Sequence, residues 1–118
     1  MIAAHRTPAR LAACVLALLL ATAGGAARAA GDLKAGRAKA LMCQACHGLD
    51  GMSKVPEAPN IAGQVEGYLV TQLQAFKSGA RRNESMALVA STLSDTDIEN
   101  LAAYFAAIEV KVGKIPGE

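Results

Sequence analysis

The sequence predicts an all-α protein of about four helices with one long loop over residues 48–63. Three segments, at residues 32–42, 65–78 and from 94 toward 113, space their apolar residues every three or four positions. That spacing is typical of helices with one buried face. A shorter helix is expected at residues 85–92, and no segment alternates apolar and polar residues as a strand does.

The first 29 residues are predicted to be a secretory signal peptide. A basic start precedes an apolar run from Leu11 to Ala23, and Ala27 and Ala29 supply the small residues that a signal peptidase recognises. Cleavage is expected after Ala29. An uncleaved anchor is the alternative, but about 13 apolar residues fall short of the roughly 20 that span a bilayer. A lipid anchor on Cys14 would need the apolar run before the cysteine, whereas here it follows.

Residues 30–118 are predicted to be the mature domain. Removing 29 of the 118 residues leaves 89, enough for one small domain with a thin core. Three of the 12 basic residues leave with the signal, so nine face 10 acidic residues and the net charge becomes −1. No clustered basic face suggests nucleic-acid binding. We expect a soluble periplasmic protein without stable membrane insertion.

The first helix is expected to begin at Asp32, a good N-cap, and to run to about Met42. The helical period puts several small or apolar residues near one face: Leu33, Gly36, Ala40 and Leu41. Residues 48–63 then carry repeated glycine and proline turn signals, which predict a long loop.

The later helices have clear signals at their ends. Gly79 is expected to stop the helix over 65–78, which buries Leu69, Leu73 and Phe76. Ser94 and Asp97 form an acidic variant of the capping box at the start of the last helix. Its buried stripe is predicted to contain Ile98, Leu101, Phe105 and Ile108, and Gly113 and Pro116 are expected to end it.

The chemistry of the chain is concentrated in Cys43-Gln44-Ala45-Cys46-His47. Two cysteines three apart on a helical turn direct both sulfurs to one side, where they can add to the two vinyl groups of one haem. The histidine that follows then projects toward the iron. The motif predicts one covalently attached c-type haem, with His47 as an axial ligand.

Two other uses of such cysteines fit less well. A thioredoxin-like redox pair expects a βαβ context, which this sequence lacks. A structural zinc site needs four ligands, and residues 30–118 contain only Cys43, Cys46 and His47 as cysteine or histidine.

The second axial ligand is a choice among methionines, a lysine or an open position. Met42 adjoins Cys43 on the histidine side, and Met52 follows His47 by only five residues. Met86 lies beyond a whole helix, so the chain has room to return on the opposite face of the ring. Met86 is therefore the favoured ligand, and simple core packing is its alternative role.

The chain resembles the class I cytochrome c family in its short bacterial form, over essentially all of residues 30–118. The residues that carry this resemblance are Gly36, Cys43-Gln44-Ala45-Cys46-His47-Gly48, Pro59-Asn60-Ile61-Ala62-Gly63-Gln64, Tyr68-Leu69, Gln72-Leu73, Phe76, Met86, Leu93-Ser94-Asp95, Ile98 and Ala102-Ala103-Tyr104-Phe105.

The resemblance implies a small cytochrome c fold wrapped around one haem. It implies that the Pro59 carbonyl accepts a hydrogen bond from His47, and that Met86 is the distal ligand. It also implies that Gly36 lies where the first and last helices cross, near Tyr104 or Phe105. The chain has no tryptophan to bind a haem propionate; three other side chains are candidates for that role, namely Gln64, Tyr68 and Arg81.

The expected function is electron transfer rather than catalysis. A His/Met-ligated iron would exchange single electrons with redox partner proteins, such as a periplasmic or membrane-bound oxidase, reductase or dehydrogenase. Two alternatives stay open: a haem subunit of a larger dehydrogenase or oxidase complex, and a five-coordinate gas-binding protein.

Overall fold

A computed structural model describes residues 31–117, and over that range the chain is helical without strands. The predicted signal peptide lies outside the described residues. Among residues 31–117, no helix combines the length and apolar character that a membrane span requires. The helical elements are α1 (Leu33–Lys39), a 3₁₀ turn (Ala40–Met42), α2 (Gln44–His47), α3 (Glu66–Ser78), α4 (Glu84–Ser91) and α5 (Asp95–Ala106).

Local residues fix three of the helix ends, as the sequence predicted. Asp32 begins α1, where its carboxylate accepts a hydrogen bond from the Ala35 N–H at 2.8 Å. Ser94 and Asp97 form a reciprocal capping box at the start of α5. Gly79 ends α3 in the left-handed conformation, with φ of 80°, which a residue without Cβ adopts at low cost.

Helices α1 and α5 cross in close contact at Gly36. This glycine is buried, and a Cβ built on it would collide with the Asn100 carbonyl and lie 2.8 Å from Cβ of Tyr104. Asn100 also accepts a hydrogen bond from the Asp32 N–H at 2.7 Å. Of the two aromatic residues expected at this crossing, the one in contact is therefore Tyr104.

The core lies between α1, α3 and α5. Its largest fully buried side chains are Ile98 and Leu101, and Phe105, Leu69 and Leu93 pack in the same cluster. The face predicted for the first helix is only partly correct, because Leu33 and Leu41 are each 53% exposed. Leu41 lies in the 3₁₀ turn Ala40–Met42 and not in α1 itself.

Helix α5 ends at Ala106, well before the predicted stop at Gly113 and Pro116. The Phe105 carbonyl accepts a hydrogen bond from the Gly63 N–H at 2.9 Å. The residues that follow include Ile108, Val110 and Val112, whose β-branched side chains favour extended backbone over helix. The tertiary contact with the loop and this composition together end the helix early.

Candidate haem site

The short helix α2 brings the two cysteines and the histidine onto one turn. The N–H groups of Cys46 and His47 donate to the Cys43 carbonyl at 3.3 and 3.0 Å. Both cysteines are free thiols; Cys43 is half-buried and Cys46 is exposed. The spacing that the sequence predicted therefore gives a local turn that presents two sulfurs and an imidazole together.

His47 is the buried polar side chain of the described region, with 8% of its surface exposed. Its Nδ1 lies 2.9 Å from the carbonyl oxygen of Pro59. Since a carbonyl can only accept, Nδ1 carries the proton in this arrangement, and Nε2 is the nitrogen left to bind a metal. The ring is thus oriented and set in one tautomer by a backbone group.

The electrostatics of Cys43 are unlike those of a reactive redox thiol. Burial raises the pKa of the Cys43 thiol to about 11, so the group stays protonated at neutral pH. A reactive dithiol pair needs a lowered thiol pKa, so the direction of this shift disfavours a thioredoxin-like site. Within residues 31–117, no group of three histidine, cysteine or acidic side chains is placed to hold a metal ion.

The loop over residues 48–63 folds back onto the turn that carries His47. The Lys54 N–H donates to the Cys46 carbonyl at 2.8 Å. The Gly51 carbonyl accepts from the N–H groups of Ile61 and Ala62 at 2.8 and 3.1 Å. Gly51 has a φ of 69°, and a Cβ there would press on the Ala62 backbone. Only glycine fits this close approach without strain.

Two side chains hold this loop, a role that the sequence analysis did not predict for either of them. Asn60 accepts a hydrogen bond from the Ser53 N–H at 2.7 Å, and the Tyr104 hydroxyl donates to the Leu49 carbonyl at 2.8 Å. Both residues were present in the segments that carry the family resemblance, Asn60 next to Pro59 and Tyr104 in the last helix. Sequence patterns alone do not show which distant backbone group such a side chain reaches.

Met86 is half-buried in the first turn of α4. Its backbone N–H donates to the side-chain oxygen of Asn83 at 2.9 Å, which caps the helix. By comparison, Met42 and Met52 are 43% and 42% exposed. Met86 is therefore the least exposed of these three methionines.

The three candidate propionate partners have different local contacts. The Arg81 guanidinium lies 4.6 Å from the centre of the Phe76 ring and donates to Gln72. Gln64 accepts from the neighbouring Val65 N–H at 3.0 Å, and Tyr68 is 48% exposed. None of these contacts selects one of them, so their role stays a prediction.

The residues present fit a covalently attached haem. Two free thiols occupy one turn, the adjacent imidazole has its Nδ1 held by Pro59, and the metal-binding nitrogen is left free of that bond. This donor set is the one that thioether attachment and axial histidine ligation require.

Comparison with known proteins identifies the family. The family model for cytochrome c matches residues 33–108. Cytochrome c4 of Pseudomonas aeruginosa is 48% identical over 101 residues, which cover 84% of this chain and 50% of that protein. Cytochrome c-554(548) of Halomonas halodenitrificans is 42% identical over 83 residues, covering 68% of this chain and all of that protein.

The fold agrees with a solved relative. The crystal structure of reduced cytochrome c4 from Pseudomonas stutzeri matches with a TM-score of 0.65 and 43% identity, covering 71% of this chain and 49% of that one. The chain belongs to the class I cytochrome c family, whose domain with this cysteine pair carries c-type haem and transfers electrons. It spans about half the length of the cytochrome c4 proteins that it matches.

Proposed function

We propose that this chain is a periplasmic electron carrier with one c-type haem, attached through Cys43 and Cys46 and ligated by His47 and Met86. The observation that carries the proposal is the state of His47. This imidazole is buried on the turn that bears both free thiols, and its Nδ1 is bonded to Pro59. Such a ring is prepared to bind iron through its other nitrogen.

The chain's own residues would tune the site for electron transfer. A bound haem supplies a one-electron iron couple. As a ligand to that iron, the soft thioether of Met86 would favour the ferrous state and so raise the reduction potential. With His47 and Met86 both holding the iron, no coordination position would be left for a substrate.

The proposed location follows from the predicted signal peptide over residues 1–29. Thioether bonds suit a compartment outside the cytosol, since they retain the haem even when an axial ligand is lost. The slightly acidic mature chain argues against a strongly lysine-rich docking face. We therefore propose brief docking to other redox proteins, either periplasmic or bound to the membrane.

Absorption spectra of the purified protein and two variants test the axial ligands. We expect the weak far-red band of methionine–iron coordination in the ferric wild type. Met86→Ala should lose this band, whereas Met52→Ala should keep it because Met52 lies in the exposed part of the loop. Retention of the band in Met86→Ala would refute the ligand assignment. Ready carbon monoxide binding to the native ferrous protein would favour the five-coordinate alternative.

A further inference from the structure

The loop around His47 contains a closed ring of hydrogen bonds. The Lys54 N–H donates to the Cys46 carbonyl at 2.8 Å, and the Ser53 N–H donates to the Asn60 side chain at 2.7 Å. His47 Nδ1 lies 2.9 Å from the Pro59 carbonyl. Because Cys46–His47, Ser53–Lys54 and Pro59–Asn60 are adjacent in the chain, these three bonds join end to end. The ring begins and ends at the histidine.

We propose that Asn60 is a positioning residue. It orients the Pro59 carbonyl toward His47 and thereby influences the reduction potential of the iron that His47 would bind. This inference rests on the proposed function, since it needs His47 to bind iron. Asn60 does not touch the imidazole; it acts through the carbonyl of the residue before it.

The local geometry explains why this one side chain has such control. The direction of the Pro59 carbonyl depends on rotation about the bonds on either side of the 59–60 peptide. The proline ring already fixes φ of residue 59. The Asn60 side chain is tied to the Ser53 N–H, and the Ile61 N–H is tied to the Gly51 carbonyl at 2.8 Å. The hydrogen bonds of Asn60 and Ile61 therefore fix the orientation of the 59–60 peptide, which includes the Pro59 carbonyl.

The hydrogen bond between the Ser53 N–H and the Asn60 side chain lies at the surface and is not part of the core. Asn60 and Pro59 are both exposed, whereas His47 is buried. Substituting Asn60 therefore leaves no cavity, and a folded variant is expected. Without the tie, the carbonyl samples more orientations and its bond to Nδ1–H weakens. A weaker bond makes the imidazole a poorer electron donor to iron, which disfavours the ferric state and raises the midpoint potential.

Three variants of the haem-loaded protein separate positioning from general loosening. Asn60→Ala removes the acceptor, and Asn60→Asp keeps an oxygen at the same place. Ser53→Ala is the matched control. It removes the hydroxyl contacts of Ser53 with Val55 but keeps the backbone N–H that donates to Asn60.

Two measurements report on the bond itself. Residues 30–118 contain a single histidine, so nitrogen-15 NMR of the ferrous protein follows one ring N–H. We expect its exchange with solvent to be roughly threefold to tenfold faster in Asn60→Ala, as the loss of one hydrogen bond implies. The midpoint potential should rise in the same variant. Asn60→Asp and Ser53→Ala should match the wild type in exchange, and Ser53→Ala also in potential.

The possible outcomes test the positioning role of Asn60 separately from the proposed electron-transfer function. Unchanged exchange and potential in Asn60→Ala, in a protein with the His/Met spectrum, would overturn the positioning role alone. Equal changes in Asn60→Ala and Ser53→Ala would also overturn it, because general loosening of the loop would then explain both. Absence of the His/Met spectrum in the wild type would instead refute the proposed function.

Discussion

At the scale of single residues, Asn83 caps the helix that carries Met86, the proposed distal ligand. Its side chain accepts the Met86 N–H at 2.9 Å and so begins the helix that carries Met86. We predict that Asn83→Ala lowers the free energy of unfolding by about 1 kcal/mol, the usual cost of losing an N-cap. The far-red methionine–iron band should also disappear at a lower temperature than in the wild type, since the first turn of α4 frays more easily.

Ser94 offers the matched control for this prediction. It caps α5 by accepting the Asp97 N–H at 3.0 Å, in a different helix from Met86. Ser94→Ala should cost a similar free energy of unfolding, while the band should persist until the protein unfolds. If both variants lose the band in step with unfolding, Asn83 is only a helix cap.

At the scale of helices, the crossing of α1 and α5 depends on the absence of one Cβ. An alanine at position 36 would collide with the Asn100 carbonyl of α5, which belongs to backbone and cannot rotate away. We predict that Gly36→Ala destabilises the protein by about 1–3 kcal/mol, the typical cost of overpacking. Gly67, within α3, is different, because no neighbouring part of the fold lies within 4 Å of the place that a Cβ would take.

Gly67→Ala is therefore a control with the same chemical change. It should stabilise the protein by at most about 0.5 kcal/mol, because alanine is the better helix former but position 67 lies in the first turn of α3. Chemical denaturation of both variants measures the difference. Similar effects of the two substitutions would contradict the close crossing at Gly36.

An ion pair between Lys39 and Asp97 also joins α1 to α5, and its contribution depends on pH. Hydrogen bonds from the Ser94 backbone N–H, from Lys39 and from the Ser94 hydroxyl lower the pKa of Asp97 from 3.8 to about 2. Lys39, at the end of α1, lies 3.0 Å from this carboxylate at the start of α5. Because the folded pKa is the lower one, the carboxylate stabilises the fold above about pH 4. This contribution is lost as the pH falls toward 2.

The prediction for Asp97→Asn follows from the lowered pKa of Asp97 in the folded protein. The variant should be less stable than the wild type at pH 6, and the difference should shrink as the pH is lowered from about 4 to about 2. Denaturation across this range measures it. Asp95→Asn is the control, since it removes an exposed ion pair with Lys77, which should contribute little. A difference that stays constant with pH would contradict the role of the Asp97 charge.

The helix ends show what sequence could and could not predict. Asp32, Gly79 and Ser94 act on backbone within a few residues of themselves, so local patterns were sufficient to find them. The end of α5 depends on the distant Gly63 N–H, which no local pattern reports.

In the candidate site, too, the local features were predictable from sequence and the long-range contacts were not. Cys43, Cys46 and His47 lie within five residues, and their motif was predictable as a unit. The expectation for Pro59 came from family resemblance. The reach of Asn60 to Ser53, and of Tyr104 to Leu49, appears only once the loop is folded.

At the scale of the whole molecule, the haem is expected to complete a core that the chain alone leaves thin. Few large side chains are fully buried in the described region, with Ile98 and Leu101 the largest. Residues 30–118 contain only Cys43 and Cys46 as cysteines, so no disulfide can join distant parts of that domain. A core this thin leaves little to offset the loss of chain entropy, and a bound cofactor would add apolar surface to it.

We therefore predict that a Cys43→Ala/Cys46→Ala variant, purified without haem, is largely unfolded. Far-UV circular dichroism should show little helix and no cooperative thermal transition, because the polypeptide core does not offset the loss of chain entropy. Met86→Ala is the informative comparison. It keeps both thioether attachments and should remain helical, since the haem still fills the interior when one axial ligand is removed. A cooperative transition with native helix content in the haem-free double variant would show that the polypeptide core is sufficient by itself.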